Sequence, residues 1–284
     1  MKIYVDGALY GEGDARISVL DAGFRFSVGL RGRFICRGGK FFRLNRRLEW
    51  LKEAAAKIPM DFRWSIADVA EAMAATYDMN GFDGDGALLE LILTAGNPAP
   101  NGDGDDGKNG GSMVIIAEKI SDGDDGVKPL RLAALDGSKL SPAMIVEERQ
   151  RISCGETAMA KALSGADGAI VLSPDGTVGA CSEGELFAVS DGRVWAPEFS
   201  QKSAIWDIAA ELLCEIQHPC ATRQAKMRDI SGAAECFVLD ELFTLRPVGA
   251  IGNGSIGDGK IGAISAEIGE ALAKKISGEF KEPF

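Results

Sequence analysis

Residues 165–198 read GADGAIVLSPDGTVGACSEGELFAVSDGRVWAPE and decide the fold of the second half of the chain. Two apolar runs within them, at 169–172 and 184–189, predict a pair of neighbouring strands. Helices are predicted on either side, at 152–163 and 205–216. Further strands are predicted at 130–135, 236–238 and 244–247, before a C-terminal helix. This alternation predicts a mixed sheet with helices packed on it.

The residues before this sheet predict a second region, of α+β type. Ile3 and Val5 alternate with polar neighbours before an Asp-Gly turn, which predicts a hairpin. Apolar residues recur at helical spacing in 44–58 and 65–78, and the run ALLELILT at 87–94 predicts a buried strand. Arg43, Arg46 and Arg47 stand at the start of the first helix, where a solvated face is favoured over an anion site.

Two stretches rich in Gly and Asp, at 97–112 and 121–126, separate the two regions. Neither matches the calcium loop D-x-D-x-D-G-x5-E, so solvated loops are favoured and no metal site is expected. The second stretch is the predicted linker. It divides the chain into a smaller N-terminal domain at 1–126 and a larger C-terminal domain at 127–284.

Composition narrows the possible partners and chemistry. The chain has 284 residues, 46% of them hydrophobic, and a net charge of −11, which disfavours nucleic acid and anionic membranes as partners. A signal peptide and a membrane-spanning run are both missing from the sequence, so the cytoplasm is the expected location. The six cysteines form no C-x-x-C pair and are expected to be buried or free thiols. His218, the one histidine, is expected to be a surface or capping residue, because it lies beside a proline near a helix end.

Four motifs follow one another in an order shared with a known family. Residues 17–42 resemble a strand followed by D-R-G-F-x-x-G-D-G-V-F-E-T and a hairpin, and residues 47–59 resemble H-x-x-R-L-x-x-S-A-x-x-L. Residues 165–198 resemble G-A-D-E-A-I-L-L-D-x-x-G-x-V-x-E-x-x-x-S-N-I-F, with its continuation. Residues 234–262 resemble A-D-E-V-F with the later I-G-D-G-x-P-G.

In these motifs the chain resembles the class IV (fold type IV) aminotransferases, which depend on pyridoxal phosphate (PLP). The family includes branched-chain and D-amino acid aminotransferases and 4-amino-4-deoxychorismate lyase. The resemblance implies a two-domain fold like that of D-amino acid aminotransferase, and a homodimer.

The resemblance also implies where cofactor contacts should stand. A PLP enzyme of this family needs a lysine for the Schiff base, an acid for the pyridine nitrogen and donors for the phosphate. Counting back from Gly165 by the family's spacing, the lysine position is Glu147, so no catalytic lysine and no bound PLP are expected. The other contacts fall at Trp50 (the phosphate-binding Arg), Ala180 (the acid), Glu185 (the Asn of S-N-I-F) and Glu241 (the phosphate-binding Thr).

Charged residues replace the family's pocket residues. Arg31 and Arg33 take two positions of the motif V-F-E-T that face the substrate in the family, and Arg151 takes a position often held by an aromatic residue. They could pair with Glu147, Glu185 and Glu241 and fill the cleft, which is the favoured interpretation. They could instead bind a small anion or carboxylate. Catalysis by a glutamate such as Glu147 is least favoured, because nearby arginines would keep its pKa low.

Three functions therefore stay open. The first is a pseudoenzyme, a family member without PLP chemistry, that binds a small anionic ligand or a partner at the old cleft or the dimer surface. The second is an active PLP-dependent aminotransferase or lyase that uses a displaced lysine, Lys139 or Lys161. The third is an enzyme that works without PLP.

Overall fold

The computed structural model describes residues 1–56, 58, 60–82, 86–96, 110–120, 128–136, 165–198 and 204–280. The predicted linker at 121–126 and the predicted helix at 152–163 lie outside the described residues. So do Glu147, Arg151, Lys139 and Lys161. The described residues fall into two compact units: a first unit of residues 1–120 with 279 and 280, and a second unit of residues 128–278.

The first unit is a six-stranded antiparallel sheet with strand order β2-β1-β6-β5-β3-β4. Its elements are β1 (Lys2–Val5), β2 (Ala8–Gly11), α1 (Ala22–Phe26), β3 (Gly29–Arg37), β4 (Lys40–Phe41), α2 (Leu44–Ala55), α3 (Ile66–Met79), β5 (Gly86–Thr94) and β6 (Met113–Lys119). The predicted hairpin and both predicted helices are confirmed, although the first helix ends at Ala55 rather than at residue 58.

One face of this sheet forms the core with α2 and α3. Leu30 and Phe34 of β3 and Leu89 and Leu91 of β5 are fully buried there. Because strand side chains alternate between faces, the intervening residues lie on the other face, where they are half-buried. The predicted buried strand at 87–94 is confirmed as β5, whose apolar run supplies one core face and one half-buried face.

The second unit contains a nine-stranded mixed sheet, which confirms the predicted mixed sheet with helices. Its path is β12-β11-β10-β13-β14-β7-β8-β9, and β15 pairs with β14. The elements are β7 (Leu130–Asp136), β8 (Gly168–Leu172), β9 (Val178–Cys181), β10 (Glu185–Ser190), β11 (Arg193–Pro197), α4 (Ala204–Glu215), β12 (Ala221–Arg223), α5 (Met227–Ser231), β13 (Glu235–Leu239), β14 (Leu245–Ile251), β15 (Gly254–Ser255) and α6 (Ala263–Glu279).

Aromatic stacking joins the centre of this sheet to α4. The ring of Phe187 on β10 lies 5.2 Å from that of Phe237 on β13 and 5.5 Å from that of Trp206 on α4. Glu235 fixes the start of α6, because its carboxylate accepts hydrogen bonds from the backbone N–H groups of Ile264 (3.1 Å) and Ser265 (2.7 Å). These groups have no partner within the helix, and an acid beside them also complements the helix dipole.

Candidate functional site

Strand β3 places Arg31 and Arg33 on one face of the first sheet. Both side chains are half-buried and lie opposite the core face that holds Leu30 and Phe34. Across the ladder, Arg31 is paired in register with Ile92 and Arg33 with Glu90. The partly open face of the first unit therefore carries two guanidinium groups between apolar neighbours.

Glu90 binds one of these two arginines. The Nε and Nη2 atoms of Arg31 contact Oε1 of Glu90, along the diagonal of the strand pair rather than directly across it. The side chains of Arg31 and Glu90 are 30% and 22% exposed, so the ion pair is partly shielded from water. Glu90 was not among the predicted site residues, although it is the single charged residue in the apolar run ALLELILT.

Arg33 differs from Arg31 in the partners of its side chain. Across the described ranges, no ion pair or hydrogen bond to its side chain is found. Glu90 lies directly opposite it in register but binds Arg31. Glu90 therefore binds Arg31 and leaves Arg33 without a described carboxylate partner.

Helix α2 carries Trp50, where the resemblance places the family's phosphate-binding arginine. Trp50 is half-buried and packs against the core of the first unit. Arg47, one turn earlier, is only 2% exposed, and its guanidinium carbon lies 4.3 Å from the centre of the Phe34 ring. The expected solvated face at Arg43, Arg46 and Arg47 was therefore wrong for Arg47. Its place on the inward side of the helix puts it against the sheet.

In the second unit, Ala180 lies half-buried on β9 and Glu185 is fully buried on β10. Glu185 pairs in register with Leu239 and shares a sheet face with Phe187, the residue that stacks on Trp206. The preceding residue, Gly184, has φ 146° and leaves no room for a Cβ against Leu239 of the adjacent strand. Glu185 is thus fully buried within this unit.

Glu241 lies in the turn that follows β13, at the same end of the β10–β13 pair as Glu185. The turn is fixed by Asp240, whose Oδ1 accepts hydrogen bonds from the backbone N–H groups of Leu242 and Thr244, both at 2.9 Å. Glu241 is half-buried, and its Oε2 atom is shielded from solvent. Two carboxyl groups therefore stand near one end of this strand pair.

The nearby cation Arg246 is bound elsewhere. Its Nη1 atom lies 2.8 Å from Oε2 of Glu183. Arg246 pairs in register with Val238, one position before Leu239, so it lies on the sheet face opposite to Glu185.

The positions that the resemblance assigns to cofactor contacts carry few of the side chains that would bind pyridoxal phosphate. Ala180 has no carboxylate for the pyridine nitrogen, and the indole of Trp50 offers a single neutral N–H. Glu185 and Glu241 supply carboxyl groups where the family has neutral hydrogen-bonding side chains. A negative charge about 4 Å from a phosphate opposes binding by about 4 kcal/mol at an effective dielectric constant near 20.

Three of the described thiols are shielded by burial. Burial raises the pKa of the Cys36 and Cys220 thiols, each to about 12, and it also raises the pKa of Cys236. Thiols of this kind are protonated at neutral pH and are poor nucleophiles. No disulfide joins the five cysteines that the structure describes, as expected from their spacing.

The sequence profile of the family described as amino-transferase class IV matches residues 33–251. The chain belongs to the class IV aminotransferase family. It is 21% identical over 290 residues to the D-alanine aminotransferase of Listeria monocytogenes, an alignment that covers 98% of this chain and 96% of that protein.

Solved structures show the same fold over the same length. The crystal structure of the branched-chain aminotransferase of the archaeon Thermoproteus uzoniensis with norvaline has a TM-score of 0.82 at 20% identity. It covers 99% of this chain and 96% of the archaeal one. A PLP-bound hypothetical aminotransferase from Mycobacterium tuberculosis has a TM-score of 0.78 at 15% identity, with 98% of this chain and 100% of that one covered. The expected fold type IV architecture is confirmed.

Among the described helices, none is both long and apolar enough to cross a membrane.

Proposed function

We propose that this member of the class IV aminotransferase family has lost PLP chemistry and binds a small anionic ligand instead. The observation that carries the proposal is the chemistry of Trp50, Ala180, Glu185 and Glu241. Under the correspondence of motifs, no cation, hydroxyl or pyridine-binding acid stands at any of these positions. A single replacement could reflect a shifted motif, but the four occur in three separate motifs.

The anionic ligand is supported by the arginines of the first unit. Arg31 and Arg33 share one partly open sheet face, and the carboxylate of Glu90 on the same face contacts Arg31. A guanidinium group is a planar fork that matches a carboxylate better than an ammonium group does. Arg151, Glu147 and any contribution they make to this site remain predictions from the sequence.

The test is the response of the purified protein to added PLP. We expect no violet-absorbing adduct, and no mass increase on any lysine after borohydride reduction. The Listeria monocytogenes D-alanine aminotransferase is a suitable positive control. An adduct on Lys139 or Lys161 would contradict the proposal and establish the rival function, an active PLP-dependent aminotransferase or lyase with a displaced lysine.

A reconstructed variant tests the correspondence of positions from the opposite direction. Glu147→Lys is combined with Trp50→Arg, Ala180→Glu, Glu185→Asn and Glu241→Thr. We expect this variant to form a borohydride-stable adduct on residue 147, and Glu147→Lys alone to bind PLP at least tenfold more weakly. If the variant with all five substitutions folds but forms no adduct on residue 147, the assignment of the five positions is wrong.

We further propose that two copies of the chain associate, as the resemblance implies. The support is an apolar segment at residues 17–26, in which five large hydrophobic side chains are exposed: Ile17, Val19, Leu20, Phe24 and Phe26. Exposed apolar patches on otherwise polar proteins commonly mark interaction surfaces.

A further inference from the structure

The middle of β3 holds two cations beside a single carboxylate. Glu90 faces Arg33 directly across the ladder, yet its Oε1 atom is bound by Arg31. Arg33 makes no ion pair or hydrogen bond through its side chain within the described part of the molecule. Arg33, which forms a patch with Arg31 and Glu90, therefore carries a positive charge that no described carboxylate binds.

Apolar neighbours strengthen the effect of that charge. Ile35 shares the face of Arg33 on β3, and Leu88 and Ile92 flank Glu90 on β5, all of them half-buried. An opposite charge interacts more strongly at the lower effective dielectric constant of a protein surface than it does in water. A half-buried guanidinium among aliphatic side chains lies closer to the first case than an exposed one does.

We propose that Arg33 binds the carboxylate of the ligand and that Glu90 selects for a single negative charge by neutralising Arg31. The proposal deepens the function proposed above and rests on it, because it assigns the anion to one residue and gives the charge of the preferred ligand. The fork of Arg33 holds one carboxylate through two parallel hydrogen bonds. A second carboxylate of a dianion would meet an arginine already occupied by Glu90.

Two probes of matched length test the selection of charge. Butyrate and succinate both have four carbons, and they carry one and two negative charges at neutral pH. Titration calorimetry should show the unmodified protein binding butyrate at least threefold more tightly than succinate. Arg33→Gln should weaken butyrate binding at least tenfold. Arg37→Gln, a change to an exposed arginine on the same strand, should leave binding unchanged.

Glu90→Gln provides the second arm of the test. It removes the carboxylate that binds Arg31, so succinate should gain at least tenfold relative to butyrate. Arg33→Lys keeps the charge but removes the fork, and it should weaken butyrate binding severalfold. Arg33→Lys also replaces Arg33→Gln in the test if circular dichroism shows that Arg33→Gln does not fold.

Several outcomes would overturn the inference. They are no butyrate binding by the unmodified protein, unchanged binding in both Arg33 variants, and no shift towards succinate in Glu90→Gln. The outcome of the PLP experiment is independent of these three results. An adduct on a lysine overturns the proposed loss of PLP chemistry, whereas Arg33-independent butyrate binding overturns only the role assigned to Arg33.

Discussion

At the scale of single residues, a buried hydrogen bond holds α1 against the first sheet. The hydroxyl of Thr94 donates to Oδ2 of Asp21 (2.7 Å) and accepts from the backbone N–H of Ser112 (2.8 Å). Asp21 is 2% exposed and also accepts from the N–H of Gly23 in the first turn of α1. A buried carboxylate that loses a donor keeps its desolvation cost without the compensating bond.

Thr94→Val should therefore lower the free energy of unfolding by about 2 kcal/mol, since valine matches threonine in shape but removes both bonds of the hydroxyl. Urea unfolding followed by circular dichroism measures the change. Thr94→Ser keeps the hydroxyl and should lose clearly less. Equal stability of Thr94→Val and the unmodified protein would show that this bond does not hold α1.

Residue-level roles were the least predictable from the sequence. Alternation along β3 was sufficient to place Arg31 and Arg33 on one face. It could not identify Glu90 as the partner of Arg31, because that requires the register between β3 and β5. Likewise, the apolar pattern of 44–58 predicted the helix but not the burial of Arg47. That burial depends on the stacking of its guanidinium against Phe34, a residue on another element.

At the scale of elements, α3 begins with a reciprocal cap. The N–H of Asp68 donates to the hydroxyl of Ser65 (3.1 Å), and the N–H of Ser65 donates to the carboxylate of Asp68 (3.0 Å). Hydrogen bonding from the Ser65 side chain and then from its backbone lowers the pKa of Asp68 below its ordinary value. The charged form of Asp68 is therefore the stabilising one.

Ser65→Ala should destabilise the protein by about 1 kcal/mol at neutral pH, and Ser65→Thr should lose less because it retains a capping hydroxyl.

The pH dependence of the contribution that Asp68 makes to stability has a defined sign. A carboxyl with a lowered pKa in the folded state contributes above its unfolded pKa of about 3.9, and the contribution is lost as pH falls through the folded pKa. The stability difference between the unmodified protein and Asp68→Asn should accordingly shrink below about pH 4. A difference that is unchanged between pH 6 and pH 3 would contradict this role.

Element boundaries and types were largely predictable, because they follow from local periodicity. The predicted strand at 236–238 is β13 (Glu235–Leu239), and the predicted helix at 205–216 is α4 (Ala204–Glu215). The strand predicted at 87–94 is β5 (Gly86–Thr94), which is buried on one face and half-buried on the other. Its half-buried face also carries aliphatic residues, Leu88 and Ile92, so composition could not separate that face from the core.

At the scale of the whole molecule, four of the five proposed cofactor positions are described residues, and they are divided unequally between the two units. Trp50 belongs to the first unit, whereas Ala180, Glu185 and Glu241 belong to the second. The family was predictable because its motifs extend along most of the chain. The chemistry of the site was less predictable, because the residues at the proposed cofactor positions carry little information about the ligand that we propose.

Association of two copies is the prediction that concerns the molecule as a whole. Phe24 and Phe26 in the apolar segment 17–26 are 68% and 58% exposed, although α1 is fixed by the buried bond between Asp21 and Thr94. Covering a phenylalanine side chain contributes about 2 kcal/mol, so each one lost should weaken association more than about tenfold.

Sedimentation velocity should show a dimer for the unmodified protein and mostly monomer for Phe24→Ser/Phe26→Ser. Met79→Ser is a matched control, because Met79 is also 58% exposed but lies outside the segment, at the end of α3. A double variant that stays dimeric while folded would place the interface elsewhere, and a monomeric unmodified protein would remove the proposal of a homodimer altogether.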